Sequence, residues 1–220
     1  MINKSAYHTL LEEISSQKIT LVAVSKLQPV PAIRELYDAG QRDFGENYVQ
    51  EMLDKQEQLP ENIRWHFIGH LQSNKVKYIA PFVYMIHGID SEKLLAEINK
   101  QAEKQNRIIK CLLQVHIAQE ETKFGFSLQE AAALLQNIFE THTFYPNVKV
   151  CGLMGMASFS DDMTKVRGEF KSLARLYKDF HSRFPEFGCL SMGMSSDYKI
   201  AIEEGSTMIR VGSLVFGARN

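Results

Sequence analysis

The stretch TLVAVSKLQPVPAIRELYDAGQRDFGEN, residues 20–47, contains one complete strand–helix–strand unit. Leu21, Val22, Ala23 and Val24 form a short apolar run of strand length. PVPAIRELYDAG then opens on prolines and closes on Gly40, the end asymmetry of a helix. A second strand-like run follows at 42–47.

The alternation recurs along the chain. Strand-like runs fall near 20–26, 42–47, 64–69, 83–89, 108–117, 148–156, 189–194 and 207–211. Each but the last is followed by a helix or helical turn, which predicts a parallel sheet. Ser91 before SEKLLAEINKQAEKQ is an expected N-cap, and Ser127 with Glu130 forms a capping box. The longest helix, within 164–184, carries Val166, Phe170, Leu173, Leu176, Tyr177 and Phe180 on one stripe. Tyr7, Leu10, Leu11 and Ile14 make residues 5–17 an extra amphipathic helix before the first strand. The expected fold class is α/β: a (β/α)8 TIM barrel as a single domain over 1–220. The alternative is an open doubly wound sheet, but no GxGxxG follows the first strand. THTFYPN (141–147) is the one long loop expected.

Composition bounds the function. The chain has 220 residues, 45% hydrophobic and 23% charged, with a net charge of −1. Such a chain buries a large core without disulfides. Near-neutral charge without basic runs argues against nucleic acid and anionic lipid as partners. No apolar run reaches membrane-spanning length, and the N-terminus reads as no signal peptide. Cys111, Cys151 and Cys189 lie in apolar surroundings without zinc spacing and read as buried thiols. A cytoplasmic location is expected.

Lys26 stands at the end of the first strand, where a cation is costly unless compensated. In α/β barrels the chemistry sits at the C-terminal strand ends. A partly desolvated lysine there has a lowered pKa, and its neutral amine attacks aldehydes. A lysine snorkelling to solvent fits the position too. After the seventh and eighth strands come SMGMSSD and RVGS, where Gly193 and Gly212 let backbone approach an anion and Ser195 and Ser213 donate hydrogen bonds. Arg210, flanked by Met208, Ile209 and Val211, needs a carboxylate, a phosphate or a ring nitrogen. Lysine, phosphate cradle and arginine together describe a pyridoxal 5′-phosphate site or a lysine aldolase acting on a sugar phosphate. HFIGH lacks a helix and an intervening glutamate, so no metal is expected.

AVSKLQP (23–29), FGENYVQE (44–51), WHFIGHLQSNK (65–75), LMGMAS (153–158), LSMGMSSDYKIAIEEGST (190–207) and IRVGSLVFG (209–217) resemble the pyridoxal phosphate homeostasis proteins, the YggS/PROSC family. That family is similar in fold to the barrel domain of alanine racemases. The resemblance implies that Lys26 holds pyridoxal phosphate as a Schiff base and that Ser195, Gly212 and Ser213 surround its phosphate. It matches Arg210 to the arginine facing the pyridine nitrogen, or alternatively the phosphate. It places Asn47 and His66 near the cofactor and Lys123 at the rim. No catalytic residue is assigned. A cation beside the ring nitrogen disfavours its protonation and weakens it as an electron sink. The sequence ends at Asn220, so the second racemase domain is expected to be absent. The expected role is pyridoxal phosphate homeostasis without robust catalysis, as a monomer, with pyridoxal-dependent apoenzymes as possible partners. The alternative is a weak fold-type-III enzyme such as an amino-acid racemase.

Overall fold

Strand β1 (Thr20–Val24) is paired on both edges. On one side lies β2 (Asp43–Glu46), with Val24 opposite Gly45, and on the other β8 (Met208–Val211), with Val22 opposite Arg210. An open sheet would leave one edge of its outermost strand unpaired; here the parallel strands run β1 to β8 in chain order and close. The others are β3 (Arg64–Phe67), β4 (Met85–Ile89), β5 (Ile109–His116), β6 (Val148–Met156) and β7 (Cys189–Ser191). This computed structural model describes residues 2–118, 124–141 and 145–217.

Helices cover the barrel: α1 (Lys4–Ser15), α2 (Val30–Asp38), α3 (Val49–Gln56), α4 (Val76–Ile79), α5 (Glu92–Lys104), α6 (Leu128–Thr141), α7 (Met163–Arg183), α8 (Tyr198–Glu203) and α9 (Ser213–Phe216). The capping box closes as expected, Ser127 N–H donating to Glu130 Oε2 at 2.8 Å and Glu130 N–H to Ser127 Oγ at 3.1 Å. Asp162 caps α7 through the Thr164 and Lys165 amides. Val166, Phe170, Leu173, Tyr177 and Phe180 are buried along it. Leu176 is only partly so. The 141–147 loop lies partly outside the described residues.

Two differences from the sequence expectation have simple causes. Strands β1, β2, β3, β5 and β7 stop one to three residues before the expected runs do, because those last residues belong to the loops at the barrel mouth. The last strand also carries a helix, α9, whose Val215 and Phe216 close the core beside α1.

The core has two layers. Between barrel and helices lies a continuous apolar shell including Phe44, Trp65, Ile86, Leu113 and Ile209. A smaller cluster of Val22, Met85, Leu112, Cys151, Met154 and Met208 packs separately from it. These residues come from five strands and fill the barrel itself, as layered inward side chains do. Helix α1 crosses the N-terminal strand ends. Its Tyr7 and Ile14, with Asp43, Arg64 and Met208, line a cavity of about 590 Å³ there.

Candidate functional site

At the opposite, C-terminal mouth, Lys26 sits half-buried in the turn after β1. Hydrogen bonds clamp that turn on both sides of the lysine. Ser25 N–H donates to Gly45 O at 3.0 Å, and Ser25 Oγ to Glu46 Oε1 at 2.6 Å. Lys55 of α3 donates through Nζ to Ser25 O at 2.7 Å, Glu46 Oε1 at 2.8 Å and Glu51 Oε1 at 2.6 Å. Glu51 in turn accepts from the Leu27 amide at 2.5 Å. Leu27 has φ +60, a region L side chains enter only when their surroundings enforce it. Burial pushes the Glu46 carboxyl above its usual range, and the Lys55 ammonium and the Ser25 hydroxyl pull only partly against that.

Asn47 follows β2 on one side of Lys26. A Cβ on Gly69 would stand 2.6 Å from the Asn47 carbonyl, so glycine there lets the β3 turn press against Asn47. The Asn47 side-chain oxygen is buried with no hydrogen-bond partner among the described residues. On the other side of β1, the loops after β7 and β8 meet: the Gly212 amide donates to Ser195 Oγ at 3.4 Å. A Cβ on Gly212 would lie 3.3 Å from Val24. Ser195 is half-buried and Ser213 exposed. Gly193, expected to approach an anion, serves packing: with φ +96 its Cβ would fall 2.6 Å from Ala201 Cβ of α8.

Arg210 is 4% exposed and lies beside Val22 in register. Its Nη1 donates to Ser191 O at 2.8 Å and Ser191 Oγ at 2.7 Å, and its Nη2 to Gly155 O at 3.1 Å. Burial lowers its pKa to about 10, which leaves it a cation at neutral pH. No ion pair holds it among the described residues; Asp197 acts on it only at longer range.

From Arg210 a line of polar contacts runs through the barrel. Ser191 Oγ lies 3.2 Å from His87 Nδ1. His87 Nε2 lies 2.9 Å from His66 Nδ1, and His66 Nε2 lies 2.9 Å from Asp43 Oδ1. Arg64 closes the far end with Nε and Nη2 on the two Asp43 oxygens, at 2.7 and 2.5 Å. Burial raises the Asp43 carboxyl, but the Arg64 and His66 hydrogen bonds outweigh it and hold it below the usual range. Burial drives both histidines down, His87 furthest, with His66 and Arg210 adding to the effect.

The expected site residues therefore divide. Lys26, Asn47, Ser195, Gly212 and Ser213 gather at the mouth. Arg210 reaches into the barrel beneath it. His66, expected beside the cofactor, is fully buried with both ring nitrogens engaged, so it has no polar atom left for a ligand. Lys123 lies outside the described residues. Sequence reasoning reached Glu46 and His87 only as polar strand ends without a role, and it missed Lys55, Asp43 and Ser191. The available signal was alternation: Asp43, His66 and His87 are polar at inward positions of three successive strands. Among the described residues, no group of His, Cys, Asp and Glu converges as a metal-ligand set.

The mouth fits an aldehyde with an anionic tail. It offers a primary amine on a fixed turn, a buried amide oxygen lacking a partner, hydroxyl and backbone donors from adjoining loops, and a buried guanidinium below.

Comparison with known proteins gives concordant matches. The family model for the alanine racemase N-terminal domain matches residues 7–220. The pyridoxal phosphate homeostasis protein of Aquifex aeolicus is 42% identical over 204 residues, 90% of this chain and 86% of the relative. That of Escherichia coli K12 is 38% identical over 210 residues, 94% and 88% of the two chains. Among solved structures, PipY of Synechococcus elongatus with pyridoxal phosphate bound has a TM-score of 0.81 and 34% identity, covering 94% of this chain and 98% of PipY. An alanine racemase of Clostridium difficile, at 14% identity, shares the fold with a TM-score of 0.71 over 97% of this chain and 56% of its own.

Proposed function

This chain belongs to the alanine racemase N-terminal domain family and, within it, to the pyridoxal phosphate homeostasis proteins; on that premise we propose that Lys26 is the amine through which it holds its cofactor. The protein binds pyridoxal 5′-phosphate and serves pyridoxal phosphate homeostasis. The bound group supplies an aldehyde that condenses with a primary amine to a Schiff base. The clamped turn supports the assignment to Lys26: Ser25, Glu46, Glu51 and Lys55 fix the backbone on either side of that residue.

Each of the other residues has a role that its chemistry permits. Ser195, Gly212 and Ser213 take the phosphate with hydroxyl and backbone N–H donors. Asn47 gives its unpartnered amide end to the ligand. Arg210 presents a buried cation beneath the ring. A cation there opposes protonation of the ring nitrogen and so restrains carbanion chemistry. That is the physical support for a carrier without robust turnover. Weak amino-acid racemase chemistry is the second reading, favoured by the barrel's likeness to alanine racemases.

Three further properties belong to the same reading. The chain acts as a monomer, since every residue assigned to the mouth comes from one chain. It works in the reducing cytoplasm, consistent with three unpaired thiols, and no described helix is long and apolar enough to cross a membrane. Its macromolecular partners are pyridoxal-dependent apoenzymes rather than nucleic acid.

Titration of the purified protein with pyridoxal phosphate tests the reading. A Schiff-base absorption band saturating at one equivalent per chain, lost in Lys26→Ala, is expected. A band unchanged in Lys26→Ala would move the assignment away from this lysine.

A further inference from the structure

With both imidazoles neutral, the contacts through the barrel have one consistent assignment of protons. Asp43 is ionised, held by Arg64, so it accepts from His66 Nε2–H. A neutral imidazole carries one proton, which leaves His66 Nδ1 as an acceptor. His87 must therefore donate to it from Nε2, which leaves His87 Nδ1 as an acceptor in turn. Ser191 Oγ–H fills that position, and the Ser191 oxygen then accepts from Arg210 Nη1. Every donor in the line points from Arg210 towards Asp43. The charge on one end is positive and on the other negative.

The line crosses the barrel. Asp43, His66 and His87 stand on the adjacent strands β2, β3 and β4, and Ser191 and Arg210 on β7 and β8. The β4–β7 step spans the lumen between strands that are not neighbours. Burial, Arg64, Lys110 and Arg210 disfavour positive charge on the two rings and outweigh the pull of Asp43 on His66, while Tyr84 packs on His66 with ring centroids 5.3 Å apart.

We propose that Asp43 is a remote positioning residue for the cofactor site: through His66, His87 and Ser191 it fixes the direction of the hydrogen bonds that hold Arg210 beneath the ring. Asp43 touches no ligand. It acts by selecting the tautomer of two histidines, which selects the lone pair that Ser191 offers to Arg210. The effect on the cofactor rests on the reading of Arg210 given above; the relay itself does not.

Two measurements separate the two claims. In cofactor-free, ¹⁵N-labelled protein, long-range ¹H–¹⁵N correlation reads the tautomers directly. Both His66 and His87 are expected to be neutral with the proton on Nε2 from pH 6 to 8. Asp43→Asn can donate an N–H to His66, and both histidines are then expected to move the proton to Nδ1. A proton on Nδ1 of either wild-type ring, or unchanged tautomers in Asp43→Asn, would overturn the relay whether or not the protein binds pyridoxal phosphate. In loaded protein, Ser191→Ala removes the hydroxyl that joins His87 to Arg210, while leaving Asp43, His66 and His87 in place and the Ser191 and Gly155 carbonyls on Arg210, so it keeps the test valid if Asp43→Asn folds poorly. Each variant is expected to shift the cofactor absorption band and weaken its binding roughly threefold to tenfold. The double variant is expected to match the stronger single one, because both cut the same line. Additive effects, or a band indifferent to Ser191→Ala, would overturn the positioning role. Failure of wild-type protein to form any band would instead defeat the cofactor reading and leave the tautomer result standing.

Discussion

His87 on β4 and Ser191 on β7 meet across the barrel lumen, imidazole Nδ1 to hydroxyl Oγ at 3.2 Å. Few side chains of a TIM-barrel interior are polar, since layers of branched apolar residues normally fill it. Here apolar Val22, Met85, Leu112 and Met154 share the interior with a hydrogen-bonded column. Fully satisfied, such a column is tolerated and stiffens the core; with one link missing it is costly.

The column makes stability depend on pH. His66 and His87 have folded pKa values below their unfolded value near 6.5. Unfolding therefore takes up protons as the pH falls below 6.5, so their contribution is complete above that value and is lost on acidification. Glu46 and Asp197, raised by burial, act in the opposite sense at lower pH. Comparing wild type with His87→Gln isolates the histidine part. Denaturant titration at pH 7.5 and 5.5 is expected to show a steeper acid loss in wild type, up to about 1.4 kcal/mol per pH unit for this one histidine. Parallel losses would contradict it.

Lys55 is the only cation hydrogen-bonded to buried Glu46 among the described residues. Lys55→Met leaves that carboxylate uncompensated and removes the ammonium that joins Ser25 O to Glu51 beside the Lys26 turn. A loss of about 3–5 kcal/mol is expected, and Lys55→Met with Glu46→Gln is expected to recover part of it. Thermal unfolding measures both. The single variant should also bind pyridoxal phosphate more weakly than its stability at the assay temperature accounts for.

Gly193→Ala tests the packing role of that glycine. The new methyl meets Ala201 at 2.6 Å on a backbone with φ +96. A destabilisation of about 1–3 kcal/mol is expected by chemical denaturation.

Arg210 separates carrier from enzyme. Exchange of the α-hydrogen of alanine in D₂O, followed by NMR on loaded protein, is expected to be slow in wild type. Arg210→Glu replaces the cation with a group that favours ring protonation, and exchange is expected to rise severalfold. Rapid exchange in wild type, abolished in Lys26→Ala, would support the enzyme reading instead.

The fold was legible because each β/α unit carries its own punctuation. Pro29 and Pro31 at the start of α2, Ser91 before α5 and the Ser127–Glu130 pair are local signals, and they mark the helices the chain forms. Closure of the sheet was an inference from strand number, settled by β1 pairing with β8. The mouth residues were legible because glycine, serine and lysine at strand ends depart from the apolar runs before them. The relay was not, because its partners are distant in sequence. Ser191 and His87 are separated by 104 positions, and only the barrel brings them together. For the same reason His66 read as a ligand neighbour: the sequence shows a histidine at a strand end, but not that Asp43 and His87 occupy both its nitrogens. Nothing in the sequence around Lys55 marks it, and only the pairing of its ammonium with Glu46 explains its burial.

The most direct measurement is borohydride reduction of the pyridoxal phosphate-loaded protein, followed by proteolysis and mass spectrometry of the peptides. One phosphopyridoxyl group per chain on Lys26 is expected. A reduced protein without the adduct, or with the adduct on a different lysine, would contradict the assignment of Lys26 as the residue that holds the cofactor.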